Sequence, residues 1–448
     1  MQKKTTTQPR RTFLKRSALA TAGLGVLSTA QAYENILGAN DRLNVAVIGV
    51  NGRGGGLLQA ALKVKNVHLG YICDVDTRAY EKHVGKVKAQ GIKGRAPKGV
   101  QDFRRVLEDK NIDAVIIATP DHWHAPMSLL AMQAGKHVYV EKPCGHNPQE
   151  GEMLIAAQEK YGKVLQMGNQ QRSGPVTIEG IKKIHEGLIG RAYYGKAWYA
   201  NSRGSIGRGK AAPVPDWLDY DLWQGPAPRT PYMDNYIHYN WHWFWRWGTG
   251  ESCNNATHEV DICRWALQVD YPIKVSSAGG RYHFDDDWEF YDSQMVNYDF
   301  PDRKTITWEG YSCNGVPMYG RGRGALIRGT EGSMLLDRNG YIHYDRQGKV
   351  VAEVKEKEKS ATTDIIGIGG LDAFHMSNFA AGIREGGELN SPIVEGHKSV
   401  LLCHMANIAQ KLGRTLETNP ENGHFLHDGE AMGMWGREYE PGWEMKVD

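Results

Sequence analysis

The sequence predicts an α/β protein in which a doubly wound parallel sheet is followed by an α+β domain with a large, mostly antiparallel open sheet. Three observations lead to this prediction. A nearly continuous apolar run, Leu43 to Val50, ends in a glycine-rich turn. Short apolar runs then alternate with helical periodicity as far as Met167. From Ile273 onward, longer strand-like runs separated by turns replace that alternation.

The first half has the pattern of a parallel sheet with helices on both faces. Leu43 to Val50 is apolar nearly throughout, as expected for a strand that is buried on both sides. Further strands are predicted at Val67 to Cys73, Ala114 to Ala118, His137 to Val140 and Val164 to Met167. Helices are predicted at Leu57 to Val64, Phe103 to Leu107, Ala125 to Ala134 and Glu150 to Tyr161.

The second half begins with a helix, Val176 to His185, and an aromatic strand, Ala192 to Ala200. A loop region rich in Gly and Pro covers 202–236, and a helix follows near His258 to Leu267. Strands are then predicted at Ile273 to Phe284, Tyr291 to Phe300, Lys304 to Tyr311, Ala325 to Gly329 and Ser333 to Leu336. Asn339-Gly340 is a hairpin signal, and helices follow near Ala373 to Ile383 and Gly396 to Leu412.

The N-terminus has the pattern of a twin-arginine export signal. Arg10-Arg11 stands in a basic segment, a short apolar stretch runs from Ala18 to Leu27, and Ala30-Gln31-Ala32 offers small residues for signal peptidase. We therefore expect an exported or periplasmic protein that folds before transport. No other apolar run is long enough for a membrane span, so none is expected in the mature protein.

The charge of the mature chain argues against a nucleic-acid-binding surface. Residues 1–32 hold six positive residues and no acid, so their removal changes the formal charge from +3 to −3. The six cysteines form no CxxC pair. A chain that folds in the reducing cytoplasm does not depend on disulfides, so free and mostly buried thiols are expected.

The glycine-rich turn predicts a dinucleotide site. Gly49, Asn51, Gly52, Arg53 and Gly54 follow the first strand and open the first helix. Glycines there permit a tight turn and let backbone amides approach a pyrophosphate, and Asn in place of the middle glycine of GxGxxG is a mild departure. Asp74 ends the second strand, where a carboxylate accepts hydrogen bonds from the adenosine ribose and repels a 2′-phosphate. NAD is therefore expected in preference to NADP.

Thr119-Pro120 and His124 follow the fourth predicted strand, at the edge of the sheet where ligands bind in such folds. We interpret this segment as a cofactor-contact loop. His122 and His124 alone do not make a metal site, because two further ligands at suitable spacing are not found in the sequence, and no metal is expected.

Glu141-Lys142-Pro143 ends the fifth predicted strand. In this order and spacing, the glycine turn, Asp74, Thr119-Pro120 and this triplet resemble the Gfo/Idh/MocA oxidoreductases, which include glucose–fructose oxidoreductase and inositol dehydrogenase. The resemblance covers essentially the whole mature chain. It implies a Rossmann domain at 33–168 after a signal peptide at 1–32, a substrate and oligomerisation domain at 169–395, and a C-terminal helix and tail at 396–448 that pack back on the domains. It also implies a homodimer or homotetramer.

The resemblance implies that Lys142 lies near the nicotinamide and the reacting hydroxyl, where an ammonium stabilises negative charge on oxygen. The family also places an Asp and a His four residues apart at a helix start, and the matching residues here are Asn254 and His258. An amide is not an acid or a base, although it can orient a hydroxyl. Glu141 and Gln170 are expected near the cofactor.

An aromatic segment, Tyr236 to Trp247, is interpreted either as a sugar-binding wall or as a hydrophobic seam between domains. The residues expected to bind a carbohydrate substrate are Arg172, His238, Trp241, His242 and Asp261.

Export constrains the chemistry that we expect. Free NAD is scarce outside the cytoplasm, so the cofactor would be bound before export and recycled within the site. The leading hypothesis is oxidation of a sugar or glycoside hydroxyl by tightly held NAD. The alternatives are a glycosidase that uses NAD transiently through a 3-keto intermediate, and a non-catalytic sugar-binding protein. The extended His-Gly motif of the family's N-acetylgalactosaminidases is not found in the sequence, which makes that particular activity less expected.

Overall fold

The computed structural model describes residues 42–91, 96–356 and 370–447. The predicted signal peptide, 1–32, lies outside the described residues. Among the helices in the described part of the chain, none is both long and apolar enough to cross a membrane.

The first sheet has six parallel strands in the order β3-β2-β1-β4-β5-β6. Alternate residues of β1 and β4 enter two separate hydrophobic clusters, one on each face of the sheet. This burial on both sides explains why these strands are apolar almost throughout. The strands are β1 (Leu43–Ile48), β2 (Val67–Cys73), β3 (Lys98–Val100), β4 (Ala114–Ile117), β5 (His137–Val140) and β6 (Leu165–Met167).

Helices connect these strands and cover the sheet. Their ends carry the expected caps: the Asn147 side chain accepts from the amide of Glu150, Pro148 occupies the first turn, and Gly162 ends that helix with a φ of 60°. The helices are α1 (Arg53–Lys63), α2 (Thr77–Ala89), α3 (Arg104–Glu108), α4 (Asp121–Gln133) and α5 (Pro148–Tyr161).

The second sheet has nine strands in the order β14-β13-β12-β11-β7-β10-β9-β8-β15. Among the strand pairs of the described residues only β7–β10 is parallel, so the sheet is mostly antiparallel. The strands are β7 (Ala192–Ala200), β8 (Lys274–Gly280), β9 (Ser293–Phe300), β10 (Lys304–Tyr311), β11 (Arg323–Gly329), β12 (Gly332–Asp337), β13 (Gly340–Asp345), β14 (Val350–Lys355) and β15 (Leu416–Glu417). This architecture confirms the predicted fold class.

One face of the second sheet packs against helices. Leu267, Ile306 and Met405 belong to the large hydrophobic cluster between them. The helices of this half are α6 (Pro175–His185), α7 (Tyr220–Gln224), α8 (Thr257–Leu267), α9 (Gly370–Glu385), α10 (Ile393–Leu412) and α11 (Gly429–Gly433). A five-residue π-helix, Ser252–Ala256, leads directly into α8.

Two features differ from the sequence prediction. The predicted domain boundary at 395 falls inside α10, whose residues Ile393 and Val400 join a cluster of the first sheet while Leu401 and Met405 join the core of the second. One helix therefore belongs to both halves. Helices α2, α7 and α11 and strands β3, β14 and β15 were not predicted, because each is short, polar or largely exposed, whereas β13 follows the Asn339-Gly340 hairpin signal. All six cysteines are buried and free, as predicted.

Candidate active site

A cavity of about 790 Å³ lies at the carboxyl end of the first sheet. This is the edge at which open α/β sheets bind ligands, and the volume suits a small molecule. One wall comes from the segments that follow β1, β2, β4, β5 and β6, and the facing wall comes from the second half of the chain. Of the predicted cofactor residues, those on the wall are Gly49, Asn51, Gly52, Arg53, Asp74, Thr119, Pro120, His124, Glu141, Lys142 and Gln170.

The glycine turn is shaped by close backbone contacts. Gly49 has a φ of 82°, and a Cβ there would lie 2.6 Å from the carbonyl oxygen of Ala118. A Cβ at Gly54 would lie 1.7 Å from the carbonyl oxygen of Gly49, so only glycine fits. At Gly52, in contrast, no described protein atom lies within 4 Å of the Cβ position, which faces the cavity.

Asp74 holds this turn in place. Its Oδ2 accepts from the amides of Val50 at 2.7 Å and Asn51 at 3.2 Å, and its Oδ1 accepts from the amide of Asp76 at 3.0 Å. Burial raises the pKa of Asp74. A carboxylate has about four acceptor positions, so three amides leave one for a ligand hydroxyl. The neighbouring Asp76 is also buried and was not predicted.

Arg53 ties the glycine turn to two other segments. Its Nε donates to Glu141 Oε1 at 2.8 Å, and its terminal nitrogens donate to both carboxylate oxygens of Asp372, at the start of α9. Glu141 Oε1 also accepts from Gln170 Nε2 at 2.8 Å. Through these hydrogen bonds Glu141 and Gln170 hold the glycine turn in place, and Arg53 lies on the cavity wall.

His124 also has a supporting position. Its Nδ1 lies 2.6 Å from the carbonyl oxygen of Pro143 and its Nε2 lies 2.8 Å from that of Thr119. Burial lowers the pKa of His124 to about 4. The ring therefore connects the loop after β4 to the loop that carries Lys142.

Lys142 and Asn254 meet across the cavity. The Nζ of Lys142 donates to the backbone oxygen of Asn254 at 2.7 Å and to its Oδ1 at 3.1 Å. Burial lowers the pKa of Lys142 below its ordinary value. Asn254 lies in the π-helix and His258 in the first turn of α8, and both line the same wall. A π-helix is a frequent local feature of functional sites.

His258 is a neutral imidazole in a cationic part of the cavity. Burial, and then the charges of Arg338, Arg323 and Lys142, hold the pKa of His258 well below 6.5. Arg323 is itself bound by the buried Glu259, with Nε–Oε1 at 2.7 Å and a second hydrogen bond at 3.0 Å. The unprotonated ring nitrogen of the neutral imidazole can accept a hydrogen bond from a bound hydroxyl.

The sequence matches two family models over most of its length. Residues 43–169 match the oxidoreductase family with an NAD-binding Rossmann fold, and residues 189–445 match that family's C-terminal α/β domain. The chain belongs to the Gfo/Idh/MocA oxidoreductase family. The cavity fits the NAD of this family: Gly49 and Gly54 shape the turn, Gly52 leaves room beside it, and two acids stand at the end of β2.

A curated relative matches about half of the chain. A glycosyl hydrolase family 109 protein of Saccharopolyspora erythraea is 31% identical over 252 residues, which is 50% of this chain and 55% of the relative. The match thus spans about half the length of each protein.

Solved structures resemble the whole fold at low sequence identity. An aldose–aldose oxidoreductase of Caulobacter crescentus complexed with glycerol has a TM-score of 0.63 and 18% identity, covering 84% of this chain and 99% of that one. An oxidoreductase of Agrobacterium radiobacter in complex with NAD+, L-tartaric acid and magnesium has a TM-score of 0.61 and 16% identity, covering 84% and 98%. At these identities the likeness establishes the shared fold.

Two residues predicted to bind substrate in this Gfo/Idh/MocA chain have another role. Arg172 and Asp261 form a buried ion pair, with Nε–Oδ2 at 2.7 Å and a second hydrogen bond at 2.9 Å. Neither is among the described residues that line the cavity. Ser399 Oγ donates to the same carboxylate at 2.6 Å. We therefore correct the assignment of Arg172 and Asp261 from substrate binding to a structural ion pair that joins the end of β6 to α8 and α10.

The aromatic segment divides between the two interpretations. Trp241 and His242 line the cavity with stacked rings whose centroids are 3.6 Å apart, whereas Trp243 and Trp247 are buried in hydrophobic clusters. His238 also lines the cavity, but its Nε2 lies 3.0 Å from Asp76 Oδ2, at the end of β2. Its expected contact with the substrate stays a prediction, and the structure adds a hydrogen-bond partner at the end of β2.

The cavity also contains residues that the sequence analysis missed. Asp121 receives a 2.5 Å hydrogen bond from Thr249 Oγ1, and burial raises its pKa to about 7. Asp121 directly follows Thr119-Pro120 in the sequence, and this position is the feature from which its place in the cavity could have been predicted. The other missed residues belong to segments far apart in sequence: Tyr199, Arg203, Tyr239, Asn255, Arg323, Arg338 and Asp372.

Proposed function

We propose that this protein oxidises a hydroxyl group of a sugar or glycoside, using NAD that stays bound between turnovers. The observation that supports the proposal is the meeting of Lys142, Asn254 and His258 in one cavity beside the glycine turn. The stacked Trp241 and His242 add a flat surface suited to the C–H face of a sugar. NAD supplies the hydride acceptor when it is bound.

The protein residues divide the remaining work. The Lys142 ammonium donates a hydrogen bond to the reacting oxygen and lowers the energy of its developing negative charge. Neutral His258 takes the hydroxyl proton as the carbon loses hydride. Asn254 holds Lys142 in place through two oxygens. Proton and hydride leave one carbinol group, and the product is a ketone.

The relation to a glycosyl hydrolase family 109 protein supports a second candidate. Transient oxidation at C3 of a glycoside acidifies the hydrogen at C2, so the leaving group at C1 can be eliminated; water then adds at C1, a proton returns to C2, and the ketone is reduced again. The same three residues would act, and the net reaction would be cleavage without net oxidation.

One experiment separates these candidates. The purified protein is mixed with a panel of glycosides that carry a chromogenic leaving group, and the near-ultraviolet absorbance of reduced nicotinamide and the release of the leaving group are both followed. Reduction of bound nicotinamide without leaving-group release supports oxidation. Release with no lasting reduction supports cleavage. Binding of a sugar with neither nicotinamide reduction nor leaving-group release would support the non-catalytic alternative, and protein that binds neither NAD nor a sugar would refute both enzyme proposals.

Because the pKa of His258 is lowered, we expect the rate of nicotinamide reduction to stay constant as the pH falls through 6.5. Because the imidazole is still neutral at pH 6.5, the initial rate of nicotinamide reduction should show no loss with a midpoint near that value. Rates measured by stopped-flow absorbance across this range check the expectation. A midpoint at 6.5 in the wild type that is absent in His258→Gln would contradict it.

The predicted export and assembly are proposals as well. Arg10-Arg11 supports export, and Lys substitution of both arginines should leave the protein in the cytoplasmic fraction.

The outer face of the second sheet carries Tyr194, Lys196 and the half-exposed Met295. A second copy of the chain that covers this face would form the homodimer or a homotetramer. A monomer in light scattering at micromolar concentration would refute that assembly.

A further inference from the structure

Glu251 lies directly behind Asn254, on the side away from Lys142. It is 5% exposed and precedes the π-helix. Its Oε2 accepts from Arg203 Nε and from Ser312 Oγ, each at 2.8 Å. Its Oε1 accepts from the side-chain nitrogens of Asn254, at 3.4 Å, and Asn255. A buried carboxylate with this many donors is firmly held.

Glu251 is ionised in this setting. Burial alone would raise its pKa, but the Arg203 charge and the hydrogen bonds from Arg203, Asn255 and Ser312 lower that pKa below its usual value. An ionised carboxylate only accepts hydrogen bonds. The group that faces it must therefore be a donor.

Lys142 and Glu251 contact opposite ends of the Asn254 amide and together determine its orientation, and Tyr239 also hydrogen-bonds Asn254. Lys142 is an ammonium and can only donate, so it requires the amide oxygen. Glu251 can only accept, so it requires the amide nitrogen. An asparagine satisfies both neighbours at once, and a carboxylate satisfies only Lys142.

We propose that Glu251 is a positioning residue that orients the Asn254 amide toward Lys142, and that Glu251 makes asparagine the required residue at position 254. The catalytic meaning of this arrangement rests on the proposed function, whereas the coupling between the two side chains does not. Where the family pattern has an aspartate, this chain has an amide, and a negative charge lies three residues earlier, at Glu251, in the buried pair with Arg203.

The proposal predicts opposite effects of two substitutions. In Glu251→Gln, the glutamine can turn its own amide nitrogen toward Asn254, which favours rotation of the Asn254 amide and loss of its oxygen from Lys142. In Asn254→Asp, the new carboxylate lies beside Glu251, and two like charges in a buried position are unfavourable. The double variant Glu251→Gln with Asn254→Asp removes this conflict.

The first test measures Lys142 directly and needs no substrate. The protein as purified is labelled with trace acetic anhydride over a range of pH, and modification of Lys142 is followed by peptide mass spectrometry. Glu251→Gln should lower the labelling midpoint by about one pH unit, because the ammonium loses an acceptor. The double variant should raise the midpoint by about one unit or more, because an aspartate then faces Lys142. Glu141, Asp121, Arg53 and Arg323 also act on Lys142 and are unchanged in both variants.

The second test is a double-mutant cycle on stability. Asn254→Asp should lower the urea midpoint of unfolding, and Glu251→Gln should recover most of that loss instead of adding to it. Where a substrate is found, nicotinamide reduction should fall about tenfold in Glu251→Gln and recover in the double variant. If Asn254→Asp alone does not fold, labelling of the other two variants still decides the matter.

The matched control is Glu395→Gln. Glu395 is a glutamate held by the buried Arg264, and it is not among the described residues that line the cavity. Its substitution should lower stability without moving the Lys142 midpoint. A midpoint in Glu251→Gln equal to that of the wild type, or additive losses in the cycle, would overturn the proposal. Failure of every carbohydrate to reduce bound nicotinamide would instead refute the proposed function, with the coupling intact.

Discussion

Lys142→Met is expected to abolish hydride transfer while NAD remains bound. Methionine keeps the length of the side chain but removes the ammonium that stabilises the developing oxyanion. Loss of such a group lowers the rate by about 100- to 10,000-fold. Stopped-flow measurement of nicotinamide reduction gives the rate, and NAD released on denaturation gives the occupancy.

Stability should change little in this variant. The substitution leaves two oxygens of Asn254 without a donor, but it also removes a charge whose burial is costly. Lys136→Met is the control, because this buried lysine donates to the backbone oxygens of Asp109 and Ile112. By the same balance its stability should change little, and because Lys136 is not among the described residues that line the cavity, the control should keep the rate. Turnover at the wild-type rate in Lys142→Met would remove Lys142 from the proposed mechanism.

Gly54→Ala is expected to destroy the dinucleotide site and to destabilise the fold. Its Cβ would lie 1.7 Å from the Gly49 carbonyl oxygen and 2.9 Å from the carbonyl carbon, so the backbone of the turn would have to move. Overpacking of this kind costs about 3 kcal/mol or more. Urea unfolding measures the loss, and NAD content after purification measures the site.

Gly85→Ala provides the matched comparison. Gly85 lies within α2, and apart from its chain neighbours and the backbone of that helix no described atom lies within 4 Å of its Cβ position. Alanine is the better helix former there, so this variant should gain about 0.5 to 1 kcal/mol and retain NAD. Equal stability and equal NAD content in the two alanine variants would contradict the steric interpretation of Gly54.

The first sheet could be predicted from sequence because its strands carry a strong signal. Buried on both faces, β1 and β4 are continuous apolar runs, and the turn after β1 needs glycines for steric reasons that act within a few residues. The short strand β3 and the largely exposed strand β14 carry no such signal, and they were missed.

The residues of the candidate site also fall into two groups, those that follow strand ends and those whose direction depends on packing. Gly49, Asp74 and Lys142 follow strand ends, and topology alone brings the carboxyl ends of parallel strands to one edge. Arg172 was misassigned because its position after β6 is near that edge, while its direction toward Asp261 depends on how α8 packs. Local sequence likewise does not reveal that the ring of His238, which lies on the cavity wall, turns to Asp76.

The sequence by itself determined the parallel sheet, the family, the cofactor and the three residues at the centre of the proposed chemistry, because those signals are local or follow strand order. Only the tertiary structure decided which charges face one another. Glu251, Arg203 and Ser312 come from three separate segments and converge behind Asn254. Charge interactions act through space over a few ångströms, and the chain brings such groups together only when it folds.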